Sequence, residues 1–223
     1  MMPELGVILD AGTGMFRARD LIETDTLHIL LSHVHLDHSI GITFLFDVLW
    51  DKKVEKVFVY SEPDKIEALE QHLFAEPLFP ARPDFEFRAH QPELEIEGTR
   101  IETFPLKHPG GSVGFLFEHD GRKMAYVTDT TADPGSDYLD RIQGVDLLIH
   151  ECYFPDGWED RAELTGHSCL SPVCEVAKKC GAGELILVHI NPLDENAEML
   201  DLESAREIYP SVSVAQDHQV VDW

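Results

Sequence analysis

Four side chains that can bind a divalent metal ion lie within six residues of one another, in the stretch LLSHVHLDHSIG. They are His33, His35, Asp37 and His38, and they follow an apolar run at residues 29–31. Neutral imidazole suits zinc, iron and manganese, and carboxylate oxygen suits harder cations. In an extended segment, residues i and i+2 point to the same side. This spacing predicts that His33, His35 and Asp37 converge on one ion, while His38 points toward a second.

Three further candidate ligands follow β-rich runs later in the chain. His108 stands in LKHPGGSVG beside glycines that allow close backbone approach, Asp129 stands in AYVTDTT, and His189 follows residues 185–188. A carboxylate such as Asp129 can bridge two cations. Together with the first cluster, these positions predict a metal site with open coordination positions.

The charge of the chain argues against a nucleic-acid partner. Its 223 residues include 42 acidic and 17 basic side chains, for a formal net charge of −25. Proteins that grip nucleic acid neutralise phosphates with lysine and arginine, and no dense basic patch is visible. We therefore expect a small-molecule substrate, and we expect nucleic acid to be an unfavourable partner.

The protein is expected to be located in the cytoplasm. No run of eighteen apolar residues predicts a membrane span, and the first residues show no basic leader followed by a long apolar stretch. The four cysteines at 152, 169, 174 and 180 form no C-x-x-C pair, so reduced, mostly buried thiols are the better interpretation.

The elements that must position these side chains alternate between strands and helices. Apolar β-rich runs stand at residues 7–9, 27–31, 57–60, 101–104, 113–117, 124–127, 147–149 and 185–188. Helical patterns stand at 63–73, at 171–179 with Pro172 at the first helical position, and at 197–209. Asp120-Gly121 predicts a tight turn between two strands, and the proline-rich residues 77–92 are expected to be a long connection. This order predicts one domain over residues 1–223, in the α/β class, with two mixed sheets inside and helices outside.

The order H-x-H-x-D-H, His108, Asp129 and His189 resembles that of the metallo-β-lactamase superfamily of binuclear metal hydrolases. The resemblance runs from residue 8 to about residue 215 and implies a four-layer αβ/βα sandwich. LDAGTG at residues 9–14 matches an early family motif whose aspartate, here Asp10, braces the site. The family usually has one or two strands before this motif, so we expect one sheet edge to be short, which would allow a homodimer.

The resemblance also implies how the ligands divide between two ions. One ion would take His33, His35 and His108. The second would take Asp37, His38 and His189, with Asp129 bridging both. Zinc is the expected metal, and manganese or iron would also suit this set.

Two further motifs resemble those of the phosphodiesterase branch, which includes the tRNA 3′-end maturation nuclease. They are DLLIHECYF at residues 146–154 and TGHS at residues 165–168. By this resemblance, His167 would protonate or stabilise the leaving oxygen and Glu151 would orient it. His150 is expected to play a supporting role without chemistry of its own. The long basic arm that grips tRNA is missing from this chain, which argues against tRNA processing.

We therefore expect a metal-dependent hydrolase, specifically a phosphodiesterase acting on a small phosphodiester through a metal-bridging hydroxide. Asp37 and Asp129 would help to hold that hydroxide. The alternatives are an ester, thioester or lactone hydrolase on the same metals, a tRNA 3′-end endonuclease, and a metal-binding protein without turnover. The complete ligand set argues against the last, since a scaffold has no need of open coordination positions.

Overall fold

The apolar runs form the strands of two β-sheets in the computed structural model, which describes residues 1–193 and 199–223. The chain divides into two compact units, Met1–Gln91 and Pro92–Trp223. Each unit contains one of the sheets.

The first unit holds a four-stranded parallel sheet. Its strands lie side by side in chain order: β1 (Val7–Leu9), β2 (Thr26–Leu30), β3 (Lys56–Ser61) and β4 (Glu86–Ala89). Alternate side chains of β2 and β3, among them Leu27, Ile29, Val57 and Val59, are buried in one apolar cluster. Because all four strands run the same way, their carboxyl ends meet at one edge of the sheet.

The second unit holds a seven-stranded mixed sheet in the order β11-β10-β9-β8-β7-β6-β5. Its strands are β5 (Glu93–Ile96), β6 (Thr99–Leu106), β7 (Ser112–His119), β8 (Arg122–Val127), β9 (Leu147–Glu151), β10 (Glu184–Val188) and β11 (Val212–Val214). Strands β5 to β8 are antiparallel neighbours, and β8 to β11 are parallel. The strands β6, β8, β9 and β10 therefore all end at the same edge of the sheet.

Within the described residues, six short α-helices connect these strands. They are α1 (Leu36–Ser39), α2 (Leu45–Val48), α3 (Pro63–Ala68), α4 (Glu159–Thr165), α5 (Leu170–Cys180) and α6 (Leu202–Ile208). The part of the chain that the structure describes also contains four 3₁₀ segments (Pro3–Leu5, Thr13–Leu21, Ile40–Phe44 and Asp137–Asp140) and one π-helical turn (Leu69–Leu73). None of the helices in the described chain has the length and apolar character needed to cross a lipid bilayer.

The spacing of buried residues in helix α5 explains why its sequence predicts a helix. Its buried residues recur three and four apart, for example at Val173, Val176, Ala177 and Cys180, and they pack in the apolar core of the second unit. The helix ends at Gly181, which adopts a left-handed conformation with φ 66°.

All eight predicted strands are present, and so is the hairpin turn at Asp120-Gly121. The expected connection at residues 77–92 instead contains β4, whose side chains are only partly buried and give a weak apolar signal. Pro172 occupies the third position of α5 and not the first, because the helix starts at Leu170. The last helix begins at Leu202, where the carboxylate of Asp201 accepts the Ser204 amide; residues 194–198 of its predicted start lie outside the described residues.

Candidate metal centre

Candidate ligands of the first unit follow the carboxyl ends of its parallel strands. Asp10 comes directly after β1, and Ser32 and His33 come after β2. The rings of His33 and His35 have centroids 4.5 Å apart, and those of His33 and His38 are 4.3 Å apart. The structure therefore brings the three histidines together.

The extended geometry predicted for this segment holds only as far as His35. Residues Leu36–Ser39 form the helical turn α1, with His35 at its N-cap in extended conformation. Helical winding places Oδ2 of Asp37 3.6 Å from Nε2 of His38. Asp37 and His38 are thus neighbours, and the prediction from strict alternation that they point apart is wrong.

Asp10 holds the imidazole of His38 from behind. Its Oδ2 lies 2.9 Å from Nδ1 of His38, and its two oxygens also accept the amide and hydroxyl of Ser32 at 2.7 and 2.9 Å. Because Nδ1 donates to a carboxylate, Nε2 is the nitrogen left to bind a metal. Ser32 in turn lies 3.0 Å from Nδ1 of His33. Asp10 thus has the bracing role that the resemblance implies, whereas no sequence signal marked Ser32.

Gly12 of the LDAGTG motif is required by a close backbone approach. A Cβ atom at Gly12 would lie 2.1 Å from the carbonyl oxygen of Asp37. Only glycine allows this loop to pack against the turn that carries the ligands.

The second unit brings its candidate ligands to one edge of its sheet. His108, Asp129 and His189 follow β6, β8 and β10, and Glu151 is the last residue of β9. The backbones of Asp129 and His189 both have positive φ, 40° and 53°, which residues other than glycine rarely adopt. Strain of this kind clusters at functional sites because the surrounding structure must maintain it.

Asp129 lies between two imidazoles, with one oxygen toward each. Its Oδ2 is 3.7 Å from Nε2 of His108, and its Oδ1 is 3.6 Å from Nε2 of His189. Both separations exceed a hydrogen bond, and both are suited to a carboxylate and an imidazole that share a cation. The hydroxyl of Thr128 donates to Oδ1 at 2.7 Å and fixes the rotation of the carboxylate.

The orientation of His108 is set by the TGHS loop. Its Nδ1 lies 2.8 Å from the carbonyl oxygen of Gly166, so Nδ1 carries the proton and Nε2 faces Asp129. Gly166 has φ 75° at the C-terminal end of α4. Sequence reasoning did not single out this glycine, although its place before His167 in TGHS is visible in the sequence.

Glu151 and His167 form a carboxylate–imidazole pair. Oε1 of Glu151 lies 3.2 Å from Nδ1 of His167 and also accepts the Thr130 amide at 3.1 Å; Oε2 accepts the Tyr153 amide at 3.1 Å. Burial raises the pKa of Glu151, and the neighbouring His167 opposes that rise. One nitrogen of His167 also lies within 4.8 Å of ligand atoms of Asp129 and His189. His167 is therefore positioned by Glu151 at the edge where the ligands of this unit converge.

His150 lies in the core of the second unit and makes hydrogen bonds there. It is fully buried, its Nδ1 donates to the carbonyl oxygen of Glu151 at 2.7 Å, and its Nε2 lies 3.1 Å from the hydroxyl of Tyr138. Burial lowers its pKa from 6.5 to about 4. Both ring nitrogens are engaged within the core, which supports the expectation that His150 does no chemistry.

The lowered pKa of His150 predicts a loss of stability in acid. The unfolded chain takes up a proton at this residue below about pH 6.5, while the folded chain resists it until about pH 4. The free energy of unfolding should therefore fall as the pH drops through this window, by up to roughly 3 kcal/mol from this group. Urea unfolding of chelator-treated protein from pH 7.5 to 4.5 measures it. His150→Gln should flatten this part of the profile, and an unchanged slope would contradict the prediction.

The donor set fits divalent metal binding in both units. Each of His38 and His108 offers Nε2 while Nδ1 is held by a carboxylate or a carbonyl oxygen, the usual arrangement of metal-ligating histidines. Carboxylates stand beside these nitrogens at 3.6–3.7 Å. Imidazole and carboxylate together suit zinc, manganese and iron.

Comparison with known proteins agrees with this chemistry. The profile of the beta-lactamase superfamily domain matches residues 6–190. Ribonuclease Z of Methanothermobacter thermautotrophicus is 23% identical over 96% of this chain and 86% of its own length, and that of Azobacteroides pseudotrichonymphae is 27% identical over 96% and 87%. The crystal structure of the metallo-β-lactamase fold protein YhfI from Bacillus subtilis superposes with a TM-score of 0.75 at 21% identity, over 94% of this chain and 84% of that one. The predicted α/β fold class with two sheets is confirmed, but the four-stranded sheet is wholly parallel and not mixed as predicted.

Proposed function

Because the chain belongs to the beta-lactamase superfamily, we propose that this metal-dependent hydrolase cleaves small phosphodiesters with the help of two divalent ions. The observation that carries the proposal is the pair formed by buried Glu151 and partly exposed His167 beside Asp129 and His189. A thioester hydrolase has less need of such a pair, because its thiolate leaving group departs without a proton. A phosphodiester with an alkoxide leaving group requires one.

The ligands of the two ions would be those that the family resemblance implies. His33, His35 and His108 would hold one ion, and Asp37, His38 and His189 the other, with Asp129 between them. The two-sided placement of Asp129 supports the bridging role. Zinc is our first choice of metal, with manganese or iron as alternatives. The family profile spans residues of both units, which supports one catalytic domain over residues 1–223.

Each residue then has a defined task. Divalent ions held by these residues would supply Lewis-acid charge and would lower the pKa of a coordinated water. Asp37 and Asp129 orient the attacking water with their carboxylate oxygens. Glu151 accepts the Nδ1 proton of His167, so that Nε2 is the nitrogen that would deliver a proton to the leaving oxygen as the P–O bond breaks.

Small substrates are favoured by the charge. Several basic side chains of the second unit already lie beside carboxylates: Arg100 beside Glu93 and Glu118, and Lys107 beside Glu163 at 2.6 Å. Because these cations are already paired with carboxylates, they attract the phosphates of a polyanion only weakly. The net charge of −25 also repels a polyanion.

Elemental analysis followed by a substrate panel tests the proposal. The panel contains bis-p-nitrophenyl phosphate, a phosphonate ester, a thioester and a lactone, each assayed with Zn²⁺, Mn²⁺ or Fe²⁺. We expect two bound ions per chain and turnover of the phosphodiester. Turnover of the lactone or thioester alone would favour the ester-hydrolase alternative, and no turnover at all would favour a metal-binding protein.

The general-acid role of His167 predicts a dependence on the leaving group. His167→Ala should lower kcat for an alkyl phosphodiester by roughly 10²- to 10⁴-fold, because the departing alkoxide is a strong base. The same variant should lose much less with bis-p-nitrophenyl phosphate, since p-nitrophenolate leaves without a proton. His119→Ala, at a half-exposed histidine of the same unit, serves as control. Equal losses on both substrates would contradict the assignment.

The second candidate is a tRNA 3′-end endonuclease, favoured by the relatives named ribonuclease Z. A pre-tRNA cleavage assay across a salt series distinguishes it. We expect little cleavage at any salt concentration, because few cations are available to release counterions. Efficient cleavage that weakens steeply with salt would replace the small-substrate proposal.

We place the enzyme in the cytoplasm. All four cysteines are buried and free, and burial raises the pKa of Cys152, Cys169, Cys174 and Cys180. Unreactive, reduced thiols suit a reducing compartment.

A further inference from the structure

A row of aromatic rings leads away from His167 in the second unit. Tyr153 stacks on His167 with ring centroids 4.9 Å apart and planes 23° apart, and it also lies 5.7 Å from the ring of His189. Phe154 meets Tyr153 edge-on at 4.8 Å, and Trp158 lies parallel to Phe154 at 6.0 Å and 7°. We name Tyr153, Phe154 and Trp158 the aromatic row.

The aromatic row is firmly supported and partly open. Phe154 is buried with Ala162 and Cys169, and its amide donates to the carbonyl oxygen of Ser168 at 3.0 Å. Trp158 is 46% exposed, and Tyr153 is half-buried. A large exposed indole held flat on a fixed ring is a ready surface for a second flat ring.

From this geometry we infer that the aromatic row binds the leaving group of the substrate, and that this group is an uncharged alcohol bearing a flat aromatic ring, such as a nucleoside. The inference rests on the proposed function, because His167 is the residue that meets the leaving oxygen. A group that departs beside His167 passes directly onto Tyr153, and its ring can stack on Trp158.

The charges along this segment exclude a further phosphate on the leaving group. Asp156 lies between Phe154 and α4, and Glu159 and Asp160 lie in the first turn of α4, with Arg161 as the one nearby cation in the sequence. Asp156 accepts the amide and hydroxyl of Ser171, and Glu159 accepts the Gly157 amide, so both carboxylates are held in place. Hydrogen bonding lowers the pKa of Glu159 and keeps it ionised. These anions would repel a nucleotide or an RNA strand and tolerate a neutral nucleoside.

A matched pair of substrates tests the inference. Methyl phosphodiesters of 2-phenylethanol and 2-cyclohexylethanol have leaving alcohols of similar size and acidity and differ in the flat ring. We expect wild type to prefer the phenyl ester by roughly 5- to 100-fold in kcat/KM. Trp158→Ala should bring this ratio close to one, whereas Leu164→Ala, at a 78% exposed position of α4, the helix that Trp158 precedes, should leave it unchanged. A ratio near one in wild type would overturn the inference and leave the proposed phosphodiesterase activity intact.

A binding measurement tests the aromatic row independently of whether the enzyme turns over phosphodiesters. Calorimetry on the metal-loaded protein compares 2-phenylethylphosphonic acid with 2-cyclohexylethylphosphonic acid, neither of which can be hydrolysed. The phenyl compound should bind at least roughly 5-fold more tightly, and Trp158→Ala should abolish the difference. Equal affinities would overturn the inference even if no phosphodiester were turned over.

Discussion

Asp129→Asn is expected to lower kcat/KM for phosphodiesters by about 1,000-fold and to reduce the amount of bound metal. Asp129 presents Oδ2 to Nε2 of His108 and Oδ1 to Nε2 of His189, so each oxygen can serve one ion. Asparagine keeps the size of the side chain, but it has a single acceptor oxygen and no charge. The neutral amide could neither bridge the two proposed cations nor offset their charge.

Turnover of bis-p-nitrophenyl phosphate and elemental analysis of the same preparation measure this result. Asp120→Asn is the matched control, since the Asp120 side chain is 91% exposed at the β7–β8 turn and asparagine tolerates its positive φ of 47°. The control should keep both activity and metal. Full activity and two ions in Asp129→Asn would contradict the bridging role.

Gly166→Ala is expected to lower activity by at least roughly 100-fold and to lower the free energy of unfolding by roughly 2–4 kcal/mol. A Cβ atom at Gly166 would lie 2.3 Å from Cδ of Pro109 and 2.8 Å from Nδ1 of His108. The loop must therefore move, and it carries the carbonyl oxygen that orients His108 as well as His167 itself. One methyl group thus disturbs a ligand and the proposed acid together.

Gly181→Ala isolates the contribution of the backbone conformation. Gly181 follows the last residue of α5 with φ 66°, just as Gly166 follows the last residue of α4 with φ 75°. A Cβ atom at Gly181, however, would meet no described heavy atom within 4 Å. We expect this variant to lose roughly 1 kcal/mol of stability and no activity. Urea unfolding and kcat/KM are measured for both variants. Similar behaviour of the two would show that the contact with His108 is unimportant.

The family resemblance and the strand runs were accessible from the sequence because both are local. H-x-H-x-D-H, HE and TGHS are short stretches, and strands such as β2 and β10 are continuous apolar runs. Strand β4 was missed for the opposite reason: it lies at the edge of its sheet with partly exposed side chains, so no apolar pattern marks it.

The identity of the candidate ligands was thus a property of the sequence, whereas their arrangement was decided by the tertiary structure. Alternation along an extended chain predicted that Asp37 and His38 diverge, but the helical turn Leu36–Ser39 makes them neighbours. The positioning residues Ser32, Tyr153 and Gly166 carry no ligand signal, since their roles arise from contacts with residues that packing brings close. The sequence determines which chemistry is available, and strand order and loop packing determine which atoms face one another, because side chains far apart in the chain meet only where parallel strands end at one edge.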